Sequence, residues 1–415
     1  MHSPGHRWQS LVDWSIAAVV GALLLWLSDL LVPPASVPFP GHGERFANMV
    51  AHPFAFQGEF PQRVLWPSLA HAAGWFGLGP VGFSHLCSGL LLAVVAWFAR
   101  RRGAGWGDAV LLTAAVAATG AVQVYKPMAC MTADTLNLAL LLLTIHSADR
   151  PVRFWTLVAV ASFNHEMVLF FGPWLWWLRL QHGGVWWRDG AALAGCAALH
   201  GGWRLSVSAA YDASYYASNN FWVPWGMPAL WALWLLVALV EFGPLLAVAV
   251  WGHRARVAGL GGRLGGWLYL ACVLSLMVFA YDVMRFATFL VVPVLLGGIA
   301  MLRARHGRIV FVALLLAAVA VYVWQHPVPS EQGGRTFTET SGSVIALLPK
   351  SAFAIGGHRL TAGEGLDYAL ALLQQWPWLW ATVAAAALGV VVFGLLLARV
   401  VRQAPRTGQE PGAGD

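Results

Sequence analysis

Ten stretches of this chain are apolar for about the length a helix needs to cross a bilayer. They run at about 14–32, 81–99, 109–125, 132–147, 190–208, 228–250, 265–281, 286–302, 309–324 and 377–399. Nothing else in the sequence limits its fold so tightly. Inside hydrocarbon a backbone must satisfy its own polar groups, so repeated apolar runs of this length have to be helices. Composition agrees: 59% of the 415 residues are hydrophobic and 10% are charged, against about 25% charged in soluble domains. The sequence predicts an all-α fold, a polytopic transmembrane helix bundle. Residues 1–402 read as a single transmembrane domain and 403–415 as a disordered tail.

Basic residues orient the bundle. Arg7, Arg100, Arg101, Arg102, Arg150, Arg153, Arg179, Arg188, Arg254, Arg256, Arg263, Arg303, Arg305, Arg308, Arg399, Arg402 and Arg406 fall at alternate span ends. They make up 17 of the 25 basic residues. By the positive-inside rule that side is cytoplasmic, and both termini lie there. The same topology accounts for the net charge of +7 without a nucleic-acid partner. The first apolar run lacks a small-residue cleavage site and reads as an anchor rather than a signal peptide. The four cysteines (Cys87, Cys130, Cys196, Cys272) form no CxxC or Cys/His cluster, so no metal site or disulfide framework is indicated.

One segment breaks the alternation. Arg150 and Arg153 stand at the start of residues 153–180, Arg179 and Arg188 at the end, and all four come out cytoplasmic. Fewer than 30 residues separate them, too few for two full spans. A broken, re-entrant helix pair satisfies the parity; a single tilted span is the alternative. The pair would carry Asn164-His165-Glu166 at its apex. Non-helical backbone at that depth survives only beside protein or a water-filled cavity. The bland reading of the triplet is a satisfied polar network that fixes helix packing.

The other ionisable residues away from span ends share the outer side, which is where such groups mark function. The first outer loop, 33–63, carries Glu44 and Arg63. After Glu44, the spacing of Phe46, Met49 and Val50 predicts a short interfacial amphipathic helix. Lys126 and Asp134 flank the next outer turn, and Asp282 and Arg285 flank a later one at i,i+3 spacing. Loop 209–227 is rich in aromatics and amides, and loop 325–376 is long and polar. Phosphate loops, GxSxG and HExxH are absent, and Gly77–Gly82 matches GxGxxG only formally, with Pro80 inside it.

Four of these elements together resemble polytopic bacterial proteins of the GT-C glycosyltransferase type. They are Arg63-Val64-Leu65-Trp66-Pro67-Ser68-Leu69 behind the first-loop acid, "TADTLNLALLL" at 132–142, "ASFNHEMVLFFGPWLW" at 161–176 and "YDVMRFATFLVVPVL" at 281–295. The mid-chain stretch has His165 where those proteins carry Arg, and the first-loop acid is Glu44 rather than Asp. The resemblance implies transfer of a sugar from a polyprenyl-phosphate donor, the lipid-linked co-substrate, to an acceptor outside the cytoplasmic (inner) membrane. It implies Glu44 as the catalytic carboxylate, with Asp134 second. Arg63, Lys126, Asn164, His165, Glu166, Asp282 and Arg285 would bind the donor. The same residues also suit a solute or lipid transporter or flippase with an outward polar cavity. A ligase or polymerase of lipid-linked glycans is a third reading.

Overall fold

The computed structural model describes residues 4–34, 42–54, 62–123, 133–207, 242–251, 259–279 and 283–324. Among them the chain is all helical, with no strand. In order the helices are α1 (Pro4–Leu31), α2 (His42–Ala51), α3 (Leu65–Gly74), α4 (Pro80–Arg101), α5 (Trp106–Ala117), α6 (Gly120–Gln123), α7 (Ala133–His146) and α8 (Pro151–Asn164). Then come α9 (Met167–Phe170), α10 (Gly172–Gln181), α11 (Trp186–Val207), α12 (Leu246–Trp251), α13 (Gly262–Phe279), α14 (Val283–Ala287), α15 (Val291–Leu302) and α16 (Gly307–Trp324). Three helical stretches are long and apolar enough to cross a membrane: Trp8–Leu31, Pro80–Arg101 and Arg285–Leu302. Shorter apolar helices cover Trp106–Ala117, Ala133–His146, Gly262–Leu276 and Gly307–Ala320. Helices thus cover eight of the ten apolar runs. Most of 228–250 and all of 377–399 lie outside the described residues, as does the tail 403–415.

The run at 109–125 is not one helix. It stops at Ala117 and resumes as α6. Gly120 is a poor helix former at the joint. Gln123 then turns inward, and its amide donates to Ser28 Oγ at 2.7 Å and to the Ala117 carbonyl.

Side-chain contacts define two ends of the bundle. At one end Arg101 donates to Ser10 Oγ at 2.7 Å, and Arg308 pairs with Asp108 at 2.6 Å. There Arg303 also reaches the Arg102 carbonyl, and the His146 ring packs 4.5 Å from Trp97. The basic ends of α1, α4, α7, α15 and α16 therefore meet. The opposite end gathers His85 against Asp29 (2.7 Å) and the polar groups described below.

Helices α1 and α4 run antiparallel between these ends. Lipid chains are as apolar as Leu, so close backbone approach replaces hydrophobic drive as the source of helix contact. Gly21 provides that approach: a Cβ there would lie 2.7 Å from Ala93 N and 2.9 Å from Gly89 O. Gly21→Ala is therefore expected to cost about 1–3 kcal/mol, the usual penalty of overpacking. Gly202→Ala, on an exposed stretch of α11 with nothing within 4 Å, is expected to be neutral or mildly stabilising. Thermal unfolding of the two variants side by side checks this; equal melting temperatures would remove the claim. The outer face of α1 is apolar throughout, with Trp8, Leu11, Val19, Leu23, Trp26 and Leu30 exposed. A stripe of this extent is costly in water.

Residues 151–181 fold as a hairpin. Pro151 starts α8 at its first turn, where a missing N–H costs nothing. The helix ends at His165, an extended residue at φ −159° and ψ 130°. The chain then returns through α9 and α10. At the close of α10 the Arg179 guanidinium donates to the Ala148 carbonyl, just before α8 begins, and to Asp189 Oδ1 at 3.0 Å. Helix α11 runs back alongside: Trp155 Nε1 donates to Asp189 Oδ1 at 2.7 Å near its start, and Phe163 meets Trp203 at 6.5 Å near its end. Fourteen residues of α8 rise about 21 Å, short of the roughly 30 Å of a hydrocarbon core. Residues 153–180 are thus a helix pair broken at His165 and not one continuous helix.

An aromatic cluster holds the returning arm. Phe171 packs at 4.9 Å from Phe289 and 5.3 Å from Tyr269, and Trp174 at 4.8 Å from Tyr269. Indole donors fix the register, from Trp174 to the Leu260 carbonyl (3.1 Å) and from Trp177 to that of Gly261 (2.7 Å).

Candidate functional site

The hairpin apex meets three other elements. Val64 N–H donates to the Phe163 carbonyl at 3.0 Å, which fixes the start of α3 against the end of α8. The Trp203 indole donates to the Gln62 carbonyl at 3.2 Å and holds the same junction from α11. The Asn164 amide donates to the Ala133 carbonyl at 2.5 Å and ties the apex to the first residue of α7. Arg63, Asp134 and the Asn164-His165-Glu166 triplet are thereby brought to one place.

Their side chains form a continuous charged network. Arg63 grips Glu166 bidentately, Nε to Oε2 at 2.9 Å and NH2 to Oε1 at 2.6 Å. Arg285, on α14, donates from Nε to Asp134 Oδ2 at 2.5 Å. His165 lies between the two pairs. Its Nδ1 is 3.5 Å from Glu166 Oε2 and its Nε2 is 3.7 Å from Asp134 Oδ1. Each ring nitrogen also faces a donor: Met167 N–H at 3.2 Å from Nδ1 and Arg285 NH2 at 3.2 Å from Nε2. A neutral imidazole accepts at one nitrogen only, so His165 answers one of these donors and turns its own N–H toward the carboxylate at the other. Among the described residues the network holds two guanidinium groups and two carboxylates, opposite charges side by side as buried ions require.

Burial differs sharply across the network. Asp134 and Asn164 have no exposed surface, and His165, Arg63 and Arg285 are buried. The Glu166 side chain keeps 20% of its surface accessible. It is the one carboxylate of the two that an incoming molecule can reach. Asp134, as placed, orients Arg285.

The sequence placed Asn164, His165, Glu166, Arg63, Asp134 and Arg285 as candidates, and the fold unites all six. Glu166 is held by Arg63. Arg285 pairs with Asp134 from 151 residues away; the position of Asp282, its expected local partner, lies outside the described residues. Lys126 and the Glu44 side chain also lie outside them. The backbone of residue 44 is placed: α2 lies parallel to α3, with Phe46 against Trp66 at 5.8 Å and the Val50 carbonyl 2.8 Å from His71 Nδ1. The start of α2 thus sits at the Arg63 end of α3. The apolar face of α2 is as read, Phe46, Met49 and Val50, but it is buried against protein.

Two groups escaped the sequence reading. Trp203 braces Gln62, and His200, one turn earlier on α11, packs 6.3 Å from Phe163 within electrostatic reach of Glu166 and Arg63. The signal was present: a His inside the apolar run 190–208 raises the same question as the triplet. Among the described residues no group of three or more His, Cys, Asp or Glu is arranged to hold a metal ion. Comparison with protein-family models, with curated proteins and with solved structures finds no match to this chain.

Proposed function

We propose that this protein is a multi-span membrane glycosyltransferase, similar in plan to the GT-C type, that moves a sugar from a polyprenyl-phosphate donor to an acceptor hydroxyl. The reading takes the basic end as cytoplasmic, about ten spans around the hairpin, both termini inside, and chemistry on the outer side of a bacterial cytoplasmic membrane. One observation carries it: among the described residues, two arginines, two carboxylates and a histidine interlock at the apex of a helix hairpin, at the end away from the basic cluster. A donor whose lipid lies in the bilayer brings its phosphate to that level.

The chemistry follows from the groups. Arg63 and Arg285 present planar forks that suit phosphate as well as carboxylate. A phosphate entering the accessible side takes Arg63 from Glu166. The acceptor oxygen then forms the new bond to the anomeric carbon as the bond to the phosphate oxygen breaks. Polyprenyl phosphate leaves with the electron pair, and Glu44, at the start of α2, takes the acceptor proton.

The test uses full-length protein in vesicles with polyprenyl-phosphate sugars, reading both sugar transfer and release of polyprenyl phosphate. Wild type is expected to turn over, and Glu44→Gln to lose about 10²–10⁴-fold, the usual worth of general base catalysis. Unchanged turnover in Glu44→Gln removes the base assignment. A second reading has one observation in its favour: a helix broken at charged residues is also how secondary transporters build their sites. Solute or lipid flux across the same vesicles, without transfer, would select a transporter.

A further inference from the structure

We infer that a groove between α8 and α11, at the basic end of the bundle, is a binding site for one anionic phospholipid. It lies far from the charged network, at the other end of the hairpin, and has a volume of about 670 Å³. The inference rests on the membrane reading above and is independent of sugar transfer.

The walls are largely apolar, from Val152, Trp155 and Ala159 on α8, from Val185 just before α11 and from Ala192 on α11. Small residues at 159 and 192 leave the space between the two helices open. From 151 to 159 the groove follows α8 for about 12 Å, a depth that takes part of an acyl chain. Charge is arranged at its mouth and floor. Asp189 is buried and already engaged by Arg179 Nε at 3.0 Å and the Trp155 indole at 2.7 Å, so it presents no free negative charge. Arg188 is exposed at the rim and stacks on Trp187 at 5.0 Å. Among the described residues it has no carboxylate partner. Trp186 and Trp187 are exposed beside it, as tryptophans at a headgroup layer are. An apolar slot closed by an arginine at the basic end matches a phosphodiester headgroup with its chains. Basic pockets between helices on the cytoplasmic side are where anionic lipids bind.

The experiment measures phospholipid retained by the purified full-length protein after exchange into vesicles or detergent carrying either phosphatidylglycerol or phosphatidylcholine. Wild type is expected to keep about one phosphatidylglycerol that Arg188→Gln loses about fivefold, the worth of one arginine near an anionic headgroup. Ala192→Trp, which fills the slot and leaves the charge, is expected to lose it as well. Arg305→Gln, exposed at the same end outside the groove, is expected to retain it. Equal retention by wild type, Arg188→Gln and Ala192→Trp overturns the site. Equal retention of phosphatidylcholine overturns the anionic assignment. Neither outcome bears on turnover, so this inference and the transferase reading fail separately.

Discussion

Asp134→Ala is expected to destabilise the bundle by about 3–5 kcal/mol, the cost of removing one partner from a buried ion pair. Asp134 has no exposed surface and lies 2.5 Å from Arg285 Nε, itself buried. Removing the carboxylate leaves a guanidinium that burial keeps from water. An exposed pair of the same geometry would be worth only about 0–1 kcal/mol, so burial sets the scale. The double replacement Asp134→Leu with Arg285→Met removes both charges and is expected to recover most of the loss, since buried pairs often exchange for apolar ones at little cost. Unfolding of the two variants in lipid or mild detergent is the measurement. A loss under about 1 kcal/mol for the single variant would mean that water reaches the pair, and the sealed network would be wrong.

Arg63 and Glu166 are expected to behave differently from Asp134, because the Glu166 side chain keeps 20% of its surface accessible and Asp134 keeps none. Glu166→Gln keeps the shape and one acceptor, and water can reach the site, so its stability cost is expected near 1–2 kcal/mol, below that of Asp134→Ala. In the proposed reaction its effect on donor binding should be inverse to that of Arg63. Arg63→Lys keeps the charge and loses the fork. Charge-assisted hydrogen bonds of this kind are worth about 2–3 kcal/mol, so kcat/KM is expected to fall by roughly 30–150-fold, chiefly through KM. Glu166→Gln weakens one hold on Arg63 and is expected to leave KM unchanged or lower. Steady-state kinetics over a donor series reads both. If Glu166→Gln raises KM as much as Arg63→Lys does, Glu166 contacts the donor directly and does not guard Arg63.

Much of the architecture was legible because the bilayer is so restrictive a solvent. In hydrocarbon, twenty apolar residues leave a backbone one choice. Charge parity around 153–180 asked for a broken helix, and the chain does turn at His165. Periodicity likewise gave the buried face of α2. It could not say what buries it, because an amphipathic pattern looks the same against lipid and against Trp66.

The sequence by itself determined the helices, the basic end, and the set of polar residues that had to be explained. Tertiary structure alone decided who pairs with whom. Arg63 reaches Glu166 across 103 residues and Arg285 reaches Asp134 across 151. Neither partnership follows from local spacing, because each depends on which helices lie side by side. Local spacing pointed to Asp282 for Arg285, and Asp282 lies outside the described residues. The physical reason is that a buried charge must be neutralised wherever the packing puts an opposite one. Helix propensity and hydropathy act along the chain; that requirement acts through space, and only the assembled bundle shows how it is met.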